Sequence, residues 1–331
     1  MNTDTCAGAA VTASRVKPWV LFVVDRSGST DGAFPGSTSR WQALYDSLMA
    51  QPDGLIFKLQ SVAYFGMVLF DGGEENVGAW ANVVTDWMCI FDPSLCADAG
   101  TAGADGGAPV AACPRLIPID PKLNNYNDIN TAYQAAGPGG STPTALALDS
   151  AYQMVSTAAT APDVDSGPQY VILCTDGEPN GCASSGWGMT DYQGPIDEVT
   201  QAAAAGIKTF VIGIAVEAQA QAHLDQLAQI GATGAPAFSP TTKDDLVQKL
   251  TEIMGGSVGC QVKLNGTVTA GQECSGRVLL NGVERECNGA DGWRLADESH
   301  IELQGAACTE FLNMSDAVLE AGFPCGVFEI E

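Results

Sequence analysis

Short unbroken apolar runs alternate along the chain with longer stretches in which apolar residues recur every three or four positions. Trp19 to Val24 is apolar throughout, and Tyr170 to Cys174 repeats the arrangement. Runs this short with no polar face read as strands buried on both sides, as in a parallel sheet. Val62, Tyr64, Gly66, Val68 and Phe70 predict another strand over 60–70, closed by the turn residues Asp71-Gly72-Gly73. Residues 208–216 supply a further strand, with a short one near Ala237-Phe238. Arg115 to Ile119 suits an edge strand, because Pro118 has no N–H to donate to a ladder. Helical spacing covers 38–50 (Trp41, Leu44, Tyr45, Leu48) and 124–136 (Tyr126, Ile129, Tyr133). Further helices are expected over 145–157, 195–205, 219–230 and 243–254. Strands alternating with helices predict an α/β fold with a doubly wound, mostly parallel sheet.

The pattern breaks twice. From 71 to about 123 the chain carries an insertion, including a Gly/Ala-rich stretch from Asp98 to Ala112 that has little to bury. After Gly255-Gly256 the helical periodicity gives way to short β-prone runs (Val262 to Val268, Arg277 to Leu280) and turns such as Asn281-Gly282. The expected organisation is a polar, irregular N-terminal segment (1–16), an α/β domain (17–255) and a small β-rich module (256–331).

Cysteines sharpen that division. Of the 11 in the chain, Cys260, Cys274, Cys287, Cys308 and Cys325 fall in the last part. No C-x-x-C spacing occurs, and the only histidines are His223 and His300, so a zinc site is a poor reading. Disulfides account for the cysteines better and imply an oxidising compartment. Cys274–Cys287 fits across a hairpin, with Cys308–Cys325, Cys6–Cys260 and Cys96–Cys113 as the next pairings. Cys174 is as well placed to be a core thiol as to bridge to Cys182. Met1 to Cys6 contains neither a basic nor an apolar stretch, so no leader is visible. The cysteines nevertheless favour an extracytoplasmic location, secreted or at the outer cell surface. A formal charge of −25 argues against nucleic acid and anionic membrane surfaces as partners. No apolar run reaches the roughly 20 residues of a transmembrane segment.

Candidate chemistry lies where the buried strands end. Asp25, Ser27 and Ser29 follow the first strand, Thr142 and Thr144 precede a helix in the Gly137–Thr144 loop, and Asp176 follows the Tyr170 strand. In open α/β sheets ligands bind at this carboxyl end. Carboxylates and hydroxyls without His or Cys suit a hard cation such as Mg²⁺. Each loop taken alone is equally consistent with helix capping. Together, Asp25-Arg26-Ser27-Gly28-Ser29, Gly139-Gly140-Ser141-Thr142-Pro143-Thr144 and Thr175-Asp176-Gly177 resemble the von Willebrand factor A domain and the inserted domains of integrins. The resemblance covers about residues 17 to 255, with the insertion as a departure.

That resemblance implies a metal-ion-dependent adhesion site. Ser27, Ser29 and Thr142 would ligate the ion through their hydroxyls, and Asp25 and Asp176 directly or through water. It also selects Thr142, since spacing alone allows Thr144. The implied cofactor is Mg²⁺, with Mn²⁺ or Ca²⁺ as alternatives. The implied partner is a protein presenting an Asp or Glu carboxylate. Glu178 and Trp187, on the Asp176 loop, are candidates for a ligand rim. His223, in an Ala/Leu/Gln-rich helix, is expected at the surface. Asp291-Gly292-Trp293-Arg294-Leu295 and Gly305-Ala306-Ala307-Cys308 resemble, more loosely, the Cys-rich extensions of secreted or lipid-anchored A-domain proteins of deltaproteobacteria.

The expected function is therefore a divalent-metal-dependent protein-binding or adhesion module at the cell surface. The alternative is an intracellular scaffold subunit of an ATPase or chelatase-type assembly, which the cysteine load disfavours. No enzyme is expected: there is no His base, no G-x-S-x-G elbow and no second cluster of metal ligands.

Overall fold

The computed structural model describes residues 11–12, 14–15, 17–72, 113–160, 167–182, 189–257, 260–313 and 317–330. Two short strands, β1 (Val11–Thr12) and β2 (Ser14–Arg15), precede the central strand β3 (Trp19–Asp25), all seven residues of which are buried. With β4 (Tyr64–Asp71), β5 (Arg115–Lys122), β6 (Gln169–Thr175) and β7 (Lys208–Gly213) it forms a five-stranded sheet in the order β5-β4-β3-β6-β7. β3 is parallel to β4 and β6, and β6 to β7. β5 is antiparallel at the edge, where Pro118 sits opposite Val68 and needs only one partner. Phe238 extends the other edge through a single parallel bridge to Ile212.

Side chains alternate across the sheet, so each half of β3 meets a different helical layer. Val20, Phe22 and Val24 pack with α1 (Arg40–Met49), α2 (Leu55–Leu59) and α3 (Tyr126–Ala135). Trp19, Leu21 and Val23 pack with α4 (Thr144–Ala159), α5 (Gln193–Ala204) and α6 (Ala218–Ile230). The next helix, α7 (Lys243–Ser257), returns to the first layer through Leu246, Leu250 and Ile253. Central strands covered on both faces explain why their sequence is apolar at every position rather than at every second one. The predicted strands and helices recur within a few residues. α2, which is only five residues long, escaped the periodicity.

The tail builds its own core from Val262, Val278, Leu280, Trp293, Ile301 and Phe323. Its strands are β8 (Gln261–Lys263), β9 (Gly266–Val268), β10 (Arg277–Leu280), β11 (Val283–Arg285), β12 (Trp293–Asp297), β13 (His300–Leu303), β14 (Leu319–Gly322) and β15 (Phe328–Ile330). One helix, α8 (Gly305–Asn313), interrupts them. Asn281 and Gly282 both take positive φ, 51° and 79°, and join β10 to β11 in the tight hairpin that their identity predicts. The expected strand over 262–268 is two strands in different sheets. The stretch read as irregular before residue 17 also joins this tail, since β1 pairs with β14 and β2 with β8, both antiparallel.

Three disulfides join described residues: Cys113–Cys182, Cys260–Cys308 and Cys274–Cys287. Only Cys274–Cys287 was expected. Cys260 pairs with Cys308, not Cys6, because β8 lies beside β13 and α8 starts two residues after β13 ends. Cys325 is disulfide-bonded, but not to Cys308. Cys113 pairs with Cys182, so neither Cys96–Cys113 nor Cys174–Cys182 forms. β5 runs antiparallel to β4, so Cys113 emerges at the carboxyl end of the parallel strands, where the loop after β6 carries Cys182. Cys174 is a free buried thiol, pushed well above the ordinary thiol range by burial. Cys6, Cys89 and Cys96 lie outside the described residues.

Peptide mapping without reduction should recover these three pairs. Thiol alkylation should reach Cys174 only after denaturation, since a buried, protonated thiol is a poor nucleophile.

Candidate metal centre

The three oxygen-bearing loops meet because β3 lies between β4 and β6, and their carboxyl ends open on the same side. Backbone hydrogen bonds then fasten loop to loop. The Gly28 N–H donates to the Gly140 carbonyl (3.1 Å) and Gly139 N–H to that of Arg26 (2.7 Å). Asn180 N–H donates to the Thr142 carbonyl (2.8 Å), which ties the Asp176 loop to the threonine loop. Gly72 N–H donates to the Ser141 carbonyl (2.8 Å), and a Cβ at Gly72 would lie 1.8 Å from Ser141 Oγ. Only glycine allows that approach between the end of β4 and the threonine loop.

Asp25, Ser27, Thr142 and Asp176 are all buried. Asp25 Oδ1 accepts the Ser27 N–H (2.7 Å), folding the loop back on the strand end, and Oδ2 accepts the Thr175 hydroxyl (2.6 Å). Ser27 Oγ and Ser29 Oγ lie 3.1 Å apart, and Ser29 Oγ donates to Asp176 Oδ1 (2.7 Å). A continuous line of side-chain oxygens therefore runs from Ser27 through Ser29 to Asp176. Thr144 directs its hydroxyl to the Thr142 carbonyl (3.3 Å), so it is spent on the first turn of α4. That supports Thr142 as the member of the pair available to a ligand.

The electrostatics match the donor set. Burial, reinforced by the like charge of Asp176, pushes the Asp25 carboxyl up to about 6, against the opposing hydrogen bonds from Thr175 and Ser27. Two carboxylates in one buried site favour a bound cation. Among the described residues no group of three or more His, Cys, Asp or Glu side chains could hold a metal. An ion here would therefore depend on hydroxyl as well as carboxylate oxygens, which fits a hard divalent ion and not a thiophilic one.

Three contacts were not anticipated from the residue pattern. Thr175, read only as the residue before Asp176, holds Asp25. Arg40, the first residue of α1, places Nη1 2.6 Å from Asp176 Oδ2. Arg26, between the first two candidate ligands, turns away from the centre. Its Nη2 lies 2.5 Å from Asp71 Oδ2, and its Nη1 donates to the Gly137 carbonyl (2.9 Å). Asp71 is fully buried and also receives Arg115 through Nε and Nη2, both at 2.9 Å. The ends of β4 and β5, where the insertion leaves and re-enters, are thereby clamped beside the threonine loop.

Of the rim candidates, Glu178 is half-buried and accepts the Tyr192 hydroxyl (2.6 Å). Trp187 lies outside the described residues. His223, expected at the surface, is buried against the Tyr192 ring, with centroids 4.8 Å apart. α6 packs on α5, and Tyr192 at the start of α5 covers that face. Burial holds the imidazole below its ordinary pKa, although Asp191 and Glu178 pull the other way.

Residues 119–254 match the family model of the von Willebrand factor type A domain. The fold is that of a von Willebrand factor type A domain. Its doubly wound sheet and flanking helices are the fold of that family. Solved structures similar to the whole chain include the pilus adhesin SpaC of Lactobacillus rhamnosus GG (12% identity, 94% of this chain and 40% of that one, TM-score 0.48). Another is proximal thread matrix protein 1 of the mussel byssus (16% identity, 77% and 52%, TM-score 0.45), also solved with a zinc-occupied MIDAS motif. The PilB minor pilin of Streptococcus sanguinis is similar over 74% of this chain and 62% of that one (16% identity, TM-score 0.47). The chain thus spans only about half or less of the first two proteins. A search of curated proteins finds no match by sequence.

Two outcomes follow from these contacts. Asp71→Ala strips two guanidinium groups of a buried partner and should cost about 3–5 kcal/mol in urea unfolding. Burial lowers the His223 pKa in the fold, so below the unfolded-state value of about 6.5 the unfolded chain takes up a proton more readily than the folded chain. Stability should fall as pH drops below that point, and His223→Gln should flatten this part of the profile in urea midpoints between pH 7 and 5.5.

Proposed function

We propose that this protein is a divalent-metal-dependent protein-binding module of the adhesion type. Asp25, Ser27, Ser29, Thr142 and Asp176 are the residues that would hold the ion, Mg²⁺ by preference and Mn²⁺ or Ca²⁺ as substitutes. The observation that carries this reading is the line of oxygens from Ser27 through Ser29 to Asp176, beside the buried Asp25. When bound, a cation of this class supplies a Lewis-acidic position for an anionic oxygen. Asp25 and Asp176 provide the negative charge that balances it, while the serine and threonine hydroxyls add donors without further charge. That leaves the site able to accept one more carboxylate, from an Asp or Glu of a partner protein.

The chain's own charge shapes how such a partner arrives. At a net charge of −25, long-range steering of an acidic partner is repulsive, so recognition depends on the local cation and on short-range contacts. An extracytoplasmic site of action is supported by the three disulfides, bonds that reducing cytosol does not sustain. The same bonds weigh against the intracellular scaffold reading. Among the described residues no helix is long and apolar enough to cross a membrane. The reading assigns binding rather than catalysis to the centre.

Isothermal titration with Mn²⁺ should show one saturable site. Asp25→Ala and Asp176→Ala should each weaken it by roughly 100-fold or more, with the far-ultraviolet spectrum unchanged. A pull-down from an extracellular fraction should lose a prominent partner on chelation and in Asp25→Ala. Binding that survives both treatments would overturn the metal-dependent reading.

A further inference from the structure

We infer that Arg40 is a built-in counter-cation of the metal centre, which lowers its affinity for divalent ions by holding one oxygen of Asp176. This rests on the metal reading above and adds a residue to the set that determines the site's specificity. Arg40 is the first residue of α1, next to the N-cap Ser39, whose side chain accepts the Gln42 N–H. A cation at this end of a helix opposes the macrodipole, so the position is unfavourable unless something nearby compensates it. Asp176 compensates it. Its side chain is fully buried, and that of Arg40 is 23% exposed, so the ion pair closes from the solvent side over a carboxylate that water does not reach.

The two oxygens of Asp176 are divided between different partners. Oδ1 accepts from Ser29 Oγ, within the line of candidate ligands, and Oδ2 faces the guanidinium. The same Nη1 also leans towards the Ser29 carbonyl at 3.5 Å, so Arg40 touches two of the three loops that form the centre. Asp25 and Asp176 bring two negative charges to the site and Arg40 returns one positive charge. A divalent ion therefore meets a centre of net charge −1, and the loaded centre carries +1. A single additional carboxylate then makes the assembly neutral. Arg40 thus lowers the affinity for the ion and raises the affinity of the loaded site for an acidic ligand. Arginine is the side chain suited to this role, because it stays protonated under all relevant conditions and does not coordinate metals.

The test is Mn²⁺ titration of the full chain as wild type, Arg40→Gln and Arg40→Lys, read by calorimetry and by the melting-temperature rise at saturating Mn²⁺. A guanidinium sharing a carboxylate with a divalent ion repels it by an amount equivalent to roughly tenfold in affinity, even at the dielectric of water. Arg40→Gln should therefore bind Mn²⁺ about tenfold or more tightly. Its melting temperature without metal should be lower, and its rise with Mn²⁺ larger than that of wild type. Arg40→Lys keeps the charge and should stay near wild type. Equal or weaker binding by Arg40→Gln would overturn the inference, as would tighter binding by both variants, which would assign the effect to shape and not charge. Absence of saturable Mn²⁺ binding in wild type and in both variants would instead overturn the metal reading on which the inference depends.

Discussion

A buried carboxylate at the end of the central strand is the constraint around which the rest of this structure is arranged. Placing Asp25 out of water beside a second carboxylate is costly, and the fold offsets the cost with donors from both neighbouring segments, the Ser27 N–H and the Thr175 hydroxyl. The Thr175 hydroxyl arrives only because β3 and β6 are parallel and in register, so that their carboxyl ends open together. The continuous apolar run that makes β3 the middle of the sheet is therefore also what puts its terminal aspartate in the right surroundings. Fold and chemistry are set by the same seven residues.

A second buried charge cluster does comparable work a few residues away. Arg26 belongs to the first loop in sequence, yet its guanidinium is committed to Asp71 and to the Gly137 carbonyl. It braces the backbone on which Ser27 and Ser29 are mounted while leaving their hydroxyls free to face the centre. Arg115 completes the pairing from the edge strand. The insertion is thereby attached at a rigid base, further fixed to the Asp176 loop through Cys113–Cys182. Breaking a buried ion pair of this kind by removing one partner is costly, because the remaining charges are left without compensation.

The parts legible in the sequence were those governed by local pattern. Unbroken apolar runs announced β3 and β6, three-to-four spacing announced the long helices, and Asn281-Gly282 announced its hairpin. The alternation of hydroxyl and carboxyl groups at strand ends picked out the three loops that the sheet brings together, at the end where open α/β sheets bind ligands. What remained hidden depended on contacts between residues far apart in the chain. Arg40 and Asp176 are 136 positions apart, and nothing in the vicinity of either predicts the other. The only local signal was a basic residue in the first turn of a helix, where dipole arguments disfavour it. Disulfide partners failed for a related reason. Cys113 was matched with its neighbour in sequence, whereas the direction of β5 delivers it to the loop that follows β6. His223 followed its helix's polar composition in the reading, but packing of that helix against α5 decided its environment.

The short strands β1 and β2 have a mechanical meaning. Chain enters the α/β sheet from β2 and leaves it into β8, and these two lie side by side in an antiparallel pair. Both crossings are at the amino end of β3, because Lys17 and Pro18 lead straight into that strand. α7 begins beside Pro35 at the carboxyl end and runs back over 15 residues, or roughly 22 Å. The oxygen loops are thus at the pole farthest from the point of attachment. A sheet joined through two adjacent strands resists twisting better than one on a single linker, and the oxygen loops lie at the end of the sheet away from that junction.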